Sequence, residues 1–285
     1  MNMLIADPSR GAFLIRGEDP PLLIPTEAEC PCMSALCPGK IILVCEKTRS
    51  CHLIHRKKLR QEMKFPAPPG VSALCPSPCG RWLYILSAEA DMVHAVHLGT
   101  GQLSYAAPAG VFPRSMMLSP SGQEILVAGG AENEALIFSL PDLVPSWRIH
   151  TRHPCFGAAY WKNGLVLVCA AEGYDIQTVI CILPKGKRRP RELLRLPGLP
   201  GTLQVCPDGV SALISTPDGL LRISLLTGQI LWNEPAGALC MELSQKKGRI
   251  LLSDLPTGKV LLLPENEPWP KKWVWQGSSP RACFL

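Results

Sequence analysis

The alternation of apolar and polar positions along this chain predicts short β-strands throughout. Strand-sized apolar segments follow turn glycines: IILVC after Gly39, RWLYIL after Gly80, EILVAG after Gly122 and VSALIS after Gly209. A third strand follows a short polar turn, as in MVHAVHL at 92–98 and EALIFSL at 134–140, and GTGQL at 99–103 leads into a fourth. Period-two alternation with hairpin turns is typical of antiparallel sheets, so the chain is predicted to be all-β, with four strands in each repeat.

One element marks the start of the repeats. It is a proline, five residues later an aliphatic residue, and then Cys or Ser followed by a second proline. It stands at 31–38, 69–76, 113–120 and 200–207. Weaker copies stand at 154–169 and 237–253. A four-stranded unit of about 40–45 residues has the size of a β-propeller blade.

The two ends of the chain predict how the ring closes. PRACFL at 280–285 begins another copy and stops after one strand, whereas 2–17 holds later strands of a blade without an opening strand. A blade shared by the two ends leaves no free sheet edge. The sequence thus predicts one seven-bladed propeller domain over 1–285, with six or eight blades or a β-sandwich as alternatives. The predicted blades are 280–285 with 1–27, 31–66, 69–106, 113–150, 154–196, 200–233 and 237–276.

The segment GVFPRSMMLSPSGQEILVAGG at 110–130 resembles the YVTN-type propeller repeat, a relative of WD-repeat and lactonase-type propellers. The chain departs from this pattern in the fifth blade, where Trp161-Lys162 replaces Ser-Pro, and in the seventh, which has Ser244-Gln245. The resemblance implies the fold and little about activity, because the members include enzymes, binding proteins and proteins of unknown role.

Composition narrows the class of protein. Hydrophobic residues make up 47% of the chain, which excludes a disordered protein. The longest apolar runs, such as 164–171, are too short to span a bilayer, and the first ten residues do not read as a secretory leader. Several of the 13 cysteines, such as Cys45, Cys169 and Cys181, occupy strand positions that favour a small apolar residue. The prediction is therefore free thiols in a reducing cytoplasm, with secreted disulfides as the alternative.

The formal net charge is +6, and much of it lies in two segments, one around Lys57 and one around Arg188. They could meet an anionic partner such as the phosphate backbone of a nucleic acid, or they could be solvated loop charge. Nucleic acid is the less favoured partner, because the interleaved aromatic residues of a single-strand platform are absent from both segments. No membrane partner is expected.

Candidate ligand-binding residues follow from the repeat. We call the first proline of each repeat element the register proline. The residue after it opens the innermost strand of its blade, at the mouth of the central channel. This places Cys32, Gly70, Arg114, Gly201, Arg281 and either Cys155 or Phe156 at the mouth. Arg114 and Arg281 could bind a carboxylate or phosphate with their planar forks of donors, or simply bond to neighbouring carbonyl groups.

No metal or other cofactor is predicted. Cys30, Cys32 and Cys37, and the pair Cys75 and Cys79, have CxC and CxxxC spacings, whereas structural zinc sites use two CxxC-like knuckles. His52/His55 and His94/His97 lie three apart on strands, so the two side chains of each pair point to opposite faces. His150 and His153 fall in a loop, where the sequence leaves a role open.

Three functions are compatible with these residues. The first is a non-enzymatic cytoplasmic binding or scaffold module that presents its loops and channel mouth to a protein or a small anionic ligand. The alternative is a lactonase-like hydrolase acting at the central channel, for which Glu132, Glu134 and the two arginines are the candidate groups. The third is a binder of phosphate backbones through the basic loops. No catalytic motif with a known nucleophile or phosphate loop is present.

Overall fold

The computed structural model describes residues 2–16, 19–27, 31–234, 241–246, 249–254, 258–264, 272–277 and 281–284. These residues form 28 strands in seven four-stranded sheets, and neighbouring strands within each sheet are antiparallel. No helix of the described chain is long and apolar enough to cross a membrane. The all-β, seven-bladed prediction is confirmed.

Each blade is one sheet, whose strands follow one another from the innermost to the outermost. The first blade is β28 (Arg281–Phe284), β1 (Asn2–Asp7), β2 (Gly11–Arg16) and β3 (Leu22–Leu23). The second is β4 (Pro31–Cys37), β5 (Lys40–Cys45), β6 (Ser50–His55) and β7 (Arg60–Pro66). The third is β8 (Val71–Pro76), β9 (Trp82–Ser87), β10 (Met92–His97) and β11 (Gln102–Pro108). The fourth is β12 (Ser115–Leu118), β13 (Glu124–Ala128), β14 (Glu134–Ser139) and β15 (Val144–His150).

The remaining three blades follow in chain order. The fifth is β16 (Cys155–Trp161), β17 (Gly164–Ala171), β18 (Gln177–Pro184) and β19 (Arg191–Pro197). The sixth is β20 (Leu203–Val205), β21 (Ser211–Thr216), β22 (Gly219–Ser224) and β23 (Ile230–Glu234). The seventh is β24 (Met241–Lys246), β25 (Arg249–Asp254), β26 (Lys259–Pro264) and β27 (Lys272–Gln276).

The last strand closes the ring as the sequence predicts. Strand β28 pairs with β1 over four positions, from Met3 opposite Phe284 to Ala6 opposite Arg281. The same strand contacts β24 of the seventh blade and β4 of the second, so it lies between the innermost strands of its two neighbours. The register proline Pro280 lies outside the described residues.

The second strands of the blades are largely apolar because both faces of each blade are covered by neighbouring blades. In β5, Ile42 and Val44 pack in the cluster shared with the third blade. The alternate residues Ile41, Leu43 and Cys45 pack in the cluster shared with the first blade. Among the described residues, every interface between adjacent blades has such an apolar cluster of its own. Burial of this apolar area stabilises each contact between blades.

The up-and-down path of the chain gives the disc two distinct faces. The innermost strand begins at one end of the blade, so the second-to-third turns and the connections between blades lie at that same end. We call this the upper face; it carries, for example, residues 129–133 and 151–154. The first-to-second and third-to-fourth turns lie at the opposite end, the lower face, with for example residues 56–59 and 185–190.

The alignment of the third repeat with the other repeats, as predicted from the sequence, is wrong by two residues. The amide of Ser119 bonds to the carbonyl of Glu124 and that of Cys206 to Ser211, and the equivalent bond in the third blade is Ser77 to Trp82. Ser77-Pro78, and not Cys75-Pro76, therefore matches the Ser-Pro and Cys-Pro turns of the other blades. The third blade has a proline at both 76 and 78, which explains the slip. Position 72, and not Gly70, then corresponds to Arg114.

The fifth blade departs from the repeat because Trp161 connects it to the next blade. Its indole Nε1 donates a hydrogen bond of 2.9 Å to the carbonyl of Gly209, in the sixth-blade turn, while its ring packs in the apolar cluster between the two blades. Serine or cysteine in this position could not reach across in this way.

Candidate functional site

The four predicted mouth residues all lie at the upper ends of innermost strands. Arg114 immediately precedes β12, and Arg281 and Cys155 are the first residues of β28 and β16. Cys32 is the second residue of β4. They differ in what their side chains can reach.

Arg114 is exposed and is oriented by the fifth blade. Its amide bonds to the carbonyl of Ala128 at 3.3 Å, which fixes the backbone at the top of β12. Its guanidinium carbon lies 5.8 Å from the centre of the Phe156 ring, within the range of a cation–π contact. The charged group is thus held beside the mouth and remains open to solvent.

Arg281 and Cys32 are neighbours across the first and second blades. Burial raises the pKa of the Cys32 thiol, and the positive charge of Arg281 opposes this only in part. The thiol donates a hydrogen bond to the carbonyl of Val44 at 3.3 Å. Cys32 is therefore a protonated, bonded thiol and a poor nucleophile.

The two arginines belong to blades that do not touch. Arg281 is in the first blade and Arg114 in the fourth, with the second and third blades between them on the shorter path around the ring. Arg281 lies close enough to Cys32 to affect its thiol, whereas Arg114 contacts the Phe156 ring. A small ion that binds to one of these arginines therefore need not contact the other.

Cys155 does not face the channel mouth. Its side chain is fully buried, and the thiol donates to the carbonyl of Gly157 at 3.5 Å. A hydrogen bond with Cys155 raises the pKa of the Cys169 thiol, and a hydrogen bond with Cys169 raises that of Cys181. The partly exposed residue at this point of the mouth is Phe156. Of the two residues that the sequence proposes at this position, only Phe156 is accessible to a ligand.

The sequence predicts no metal site, and several of the cysteines and histidines weighed for one have structural roles. Cys37, Ser77, Ser119 and Cys206 share one buried position of the repeat, which therefore accepts either hydroxyl or thiol. His52 is buried between Ser50 and Gln61, at 2.9 and 2.8 Å. Cys30 lies outside the described residues, and the residues that are described contain no group of three or more His, Cys, Asp or Glu able to hold an ion.

The sequence did not predict the most distinctive feature of the upper face, a cleft beside the fifth blade. The hairpin between β17 and β18 is longer than its counterpart in the second blade. Val44 of the second blade and Val168 of the fifth are equivalent, because they pair with Met33 and Gly157 of their innermost strands. Beyond Val44, the second blade has one more pair between its second and third strands before the turn. The fifth adds three, ending with Ala170–Thr178 and Ala171–Gln177. Two extra pairs raise the hairpin by about 7 Å.

The raised hairpin and the connection 151–154 enclose a cleft of about 310 Å³. Its charged and polar lining comprises Arg152, His153, Glu172, Asp175, Gln177 and Arg195. Tyr174, at the tip of the hairpin, is fully exposed at its rim. The signal in the sequence was the long step between the fifth and sixth repeats, from Pro154 to Pro200.

Arg195 is fixed in this cleft. Its guanidinium makes two parallel bonds to the Glu192 carboxylate, at 2.7 and 2.8 Å, and a third to Gln177 at 3.1 Å. Hydrogen bonding from Arg195 lowers the pKa of Glu192, so this carboxylate stays ionised. Arg152, by contrast, is exposed and forms no ion pair with any described residue.

His153 lies between these arginines. Its Nε2 is buried and has no hydrogen-bond partner within the described part of the chain. Burial lowers the pKa of the imidazole, and the charges of Arg195 and Arg152 lower it further. A neutral ring with an unpaired polar nitrogen next to two cations can accept or donate a hydrogen bond to a ligand. His150 lies apart, exposed on the outermost strand of the fourth blade.

Glu132 and Glu134 form a carboxylate pair on the fourth blade. Glu134 is buried and bonds to Arg148 at 3.0 Å. Burial raises the pKa of Glu132, as do the charge of Glu134 and the hydrogen bond between the two groups. The carbonyl of Glu132 accepts a bond of 3.0 Å from the amide of Cys155, which places this turn at the top of β16.

Charge is distributed unequally between the two faces. Among the described turns, the upper face carries five basic residues, Arg10, Lys47, Arg49, Arg114 and Arg152, against eight acidic ones, Glu27, Glu46, Glu89, Asp91, Glu132, Glu172, Asp175 and Asp218. The lower face carries nine basic residues, Arg56, Lys57, Lys58, Arg81, Lys162, Lys185, Lys187, Arg188 and Arg189, against Asp19, Asp142 and Asp208. Both basic segments of the sequence thus face away from the predicted channel mouth.

Comparison with known proteins identifies the fold and no family. No family model matches the chain, and no curated protein matches it. The solved structures that resemble it include a putative 6-phosphogluconolactonase from Bacteroides uniformis, with 14% identity and a TM-score of 0.76 over 100% of this chain and 99% of that one. The periplasmic gluconolactonase of Pseudomonas aeruginosa has 14% identity and a TM-score of 0.72 over 99% of this chain and 98% of that one.

A third structure, hydrazine synthase of Kuenenia stuttgartiensis, has 16% identity and a TM-score of 0.73 over 85% of this chain and 78% of that one. At such identities the likeness shows the propeller fold alone. The structural neighbours of this seven-bladed chain thus include lactonase-type propellers, as the resemblance in sequence implies.

Proposed function

We propose that this protein is a non-enzymatic, cytoplasmic binding module that holds a small anionic ligand on its upper face. The observation that carries the proposal is the fifth-blade cleft, lined by Arg152, His153 and the fixed guanidinium of Arg195. Nε2 of His153 is buried there and has no hydrogen-bond partner among the described residues. A rigid ring with an added hairpin is a common way to build a ligand site on a scaffold.

The cleft favours a ligand that carries one acidic group and several neutral polar groups. A carboxylate or phosphate would bind Arg152 and His153, on the wall formed by residues 151–154. Hydroxyl groups would donate to Glu172 and Asp175 on the hairpin, and the exposed ring of Tyr174 offers an apolar surface at the rim. The polyhydroxy acid gluconate has this combination of groups, and 6-phosphogluconate has it together with a second acidic group, its phosphate.

Arg114 and Arg281 supply a second place for an anion, at the channel mouth. Their separation in the ring fits an extended ligand or an acidic protein segment better than a compact ion.

The proposed cytoplasmic location is supported by Cys51. Its free thiol is buried and packs as a small apolar group, and burial raises its pKa to about 12. Such a thiol fits a reducing compartment.

The binding proposal is tested by calorimetric titration with 6-phosphogluconate, gluconate and inorganic phosphate. We expect Arg152→Gln to weaken binding of the first by at least about tenfold, the range of one charge-assisted hydrogen bond. Lys47→Gln, an exposed charge elsewhere on the same face, is the matched control. If Arg114→Ala with Arg281→Ala abolishes binding and Arg152→Gln leaves it intact, the ligand site is the channel mouth.

A lactonase-like hydrolase is the second candidate, favoured by the neighbours named above and by the Glu132–Glu134 pair. A carboxyl group with a raised pKa can act as a general acid or base near neutral pH. The pKa of Glu132 is raised, and its turn lies at the upper end of the fourth blade. The assay is hydrolysis of gluconolactone and 6-phosphogluconolactone by the wild type, Glu132→Gln, and Arg114→Ala with Arg281→Ala. Turnover that no variant reduces, or no turnover, counts against it.

A further inference from the structure

The lower face of the disc carries two exposed basic turns that the upper-face site does not use. The first is Arg56, Lys57 and Lys58 between the third and fourth strands of the second blade. The second is Lys185, Lys187, Arg188 and Arg189 at the same place in the fifth blade, followed by Arg191 at the start of the outermost strand. Except for Arg56, which is half-buried, these side chains are exposed.

Both turns are held in shape by hydrogen bonds that their backbone amides donate. Nδ1 of His55 accepts hydrogen bonds from the amides of Lys57 and Lys58, both at 3.2 Å. In the fifth blade the amide of Lys187 bonds to the carbonyl of Pro184 at 3.0 Å, and that of Lys185 to Asn163 at 2.7 Å. Ordered turns lose little entropy when a partner binds to them.

The charges of these turns are available to a partner. Within the described part of the chain, the ion pairs of the second and fifth blades use Lys40, Lys64 and Arg195 and none of the turn residues. The acidic residues of the lower-face turns are few, and one of them, Asp208, is bound to Arg222 at 2.9 Å. The second and fifth blades lie on nearly opposite sides of the ring, so a partner that contacts both turns must extend across the disc.

We propose that this lower face binds the phosphate backbone of double-stranded nucleic acid without regard to sequence. A duplex carries one negative charge for about every 1.7 Å of its axis, and a rod of such density can meet both basic turns at once. Arginine and lysine side chains on turns are suited to phosphate contacts that carry no base information.

The lower face is less suited to the other polyanions. The described turns of this face contain no Phe, Tyr or Trp, so they offer no stacking surface for the bases of a single strand. Their exposed large apolar residues are Val210 and Leu226, both in the sixth blade and apart from the basic turns. A bilayer would therefore gain little from insertion beside the charges.

The test is binding of a labelled 30-base-pair duplex by fluorescence anisotropy over a series of KCl concentrations. We expect a linear fall of log K with log salt, since bound phosphates release counterions. Lys57→Gln with Lys58→Gln, and separately Arg188→Gln with Arg189→Gln, should each weaken binding by at least about tenfold at 0.1 M salt and make the slope shallower by about 1.8.

Lys47→Gln with Arg49→Gln is the matched control, because it removes two exposed charges from the upper-face turn of the same second blade. It should change duplex affinity by less than about twofold. Circular dichroism checks that each variant is folded. As a measurement without variants, amine acetylation should spare Lys57, Lys58, Lys185 and Lys187 in the presence of duplex and modify Lys47 equally with and without it.

Three results overturn the proposal: no duplex binding at 0.05 M KCl, equal loss in the control variant, or binding to vesicles with 30% phosphatidylserine and none to the duplex. Because the basic turns and the cleft lie on opposite faces, loss of duplex binding without loss of 6-phosphogluconate binding separates this proposal from the proposed function.

Discussion

Nε1 of Trp275 donates a hydrogen bond of 3.0 Å to Oδ2 of Asp7, and this contact joins the seventh blade to the first across 268 positions of sequence. The indole also contacts Arg10, whose guanidinium carbon is 4.5 Å from the ring centre, and Phe13, whose ring centre is 4.7 Å away. Asp7 is fully buried, and its other carboxylate oxygen accepts bonds from Ser9. The closure of the ring therefore includes a buried polar contact in addition to strand pairing.

Trp275→Phe tests how much this contact stabilises the closed ring. The phenyl ring keeps part of the apolar packing but leaves one buried oxygen of Asp7 without its donor. We expect the free energy of unfolding to fall by about 1–3 kcal/mol, measured by urea denaturation. Trp147→Phe, on an exposed outermost strand, is the control and should cost less than about 0.5 kcal/mol. Equal effects of the two changes would contradict a special role for Trp275.

Gly130→Ala should destabilise the fourth-blade turn strongly. Gly130 has φ +63°, and a methyl group on its Cα would overlap the carbonyl of Phe112. Its amide also bonds to the carbonyl of Cys155 at 2.8 Å, so the turn cannot shift without losing this link to the fifth blade. We expect a loss of about 2–4 kcal/mol in urea denaturation.

Gly186→Ala is the matched control for this change. Gly186 also has a positive φ, +79°, but no atom lies within 4 Å of the added methyl group. The substitution should cost only about 1 kcal/mol, the contribution of the left-handed backbone alone. A loss as large as that of Gly130→Ala would show that the clash with Phe112 is not the cause.

The fold was predictable because each blade repeats the same local signals. Turn glycines such as Gly39 and Gly122 supply the positive φ that their turns require. Continuous apolar second strands such as 41–45 follow from burial on both faces of a blade. The sequence register failed where the third blade offers two prolines at 76 and 78, since a pattern of residue types cannot choose between them. Hydrogen bonding of Ser77 decides between the two.

The candidate site was predictable only in part. The position of Arg114 at the upper end of β12 follows from the repeat, but its contact with Phe156 depends on packing between blades. The sequence placed Cys155 at the channel mouth, whereas its side chain is buried. A shift of one residue at the end of a strand changes whether a side chain faces the channel or the core. The cleft depends on two extra strand pairs, Ala170–Thr178 and Ala171–Gln177, which the sequence shows only as a longer repeat.

Asp208 makes the stability of the sixth blade sensitive to acid. Its carboxylate accepts bonds from Arg222, which is almost fully buried, and from the hydroxyl and amide of Ser211. Burial alone would raise the pKa of Asp208, but these hydrogen bonds outweigh it and the pKa is lowered. A carboxylate with a lowered pKa stabilises the folded state above the unfolded pKa of about 3.9, and this contribution is lost as the pH falls through the folded value.

Asp208→Asn should therefore lower the free energy of unfolding by about 1–3 kcal/mol at pH 7, because Arg222 stays buried without its counter-charge. The difference from the wild type should shrink at the lowest pH at which both proteins fold. Urea denaturation at pH 7, 4, 3 and 2.5 measures both effects. A deficit that stays constant over this range would mean that ionisation of Asp208 is not the cause.

Cys79 should be the most reactive thiol among the described cysteines. It is exposed in the lower-face turn of the third blade, and its sulfur lies 3.4 Å from the Ser77 hydroxyl. The hydrogen bond with Ser77, followed by bonds to the amide and side chain of Arg81, lowers the pKa of Cys79 to about 7. Half of this thiol is then thiolate at neutral pH, whereas burial holds the pKa of Cys51 at about 12.

Alkylation by iodoacetamide, followed residue by residue with mass spectrometry, measures this difference. The rate at Cys79 should rise through a midpoint near pH 7, because only the thiolate reacts. Arg81→Gln keeps the amide but removes the charge, so the midpoint should move towards higher pH; Arg60→Gln, exposed in the second blade, should leave it unchanged. A midpoint near the ordinary thiol pKa of about 8.5 in the wild type would show that Ser77 and Arg81 do not stabilise the thiolate.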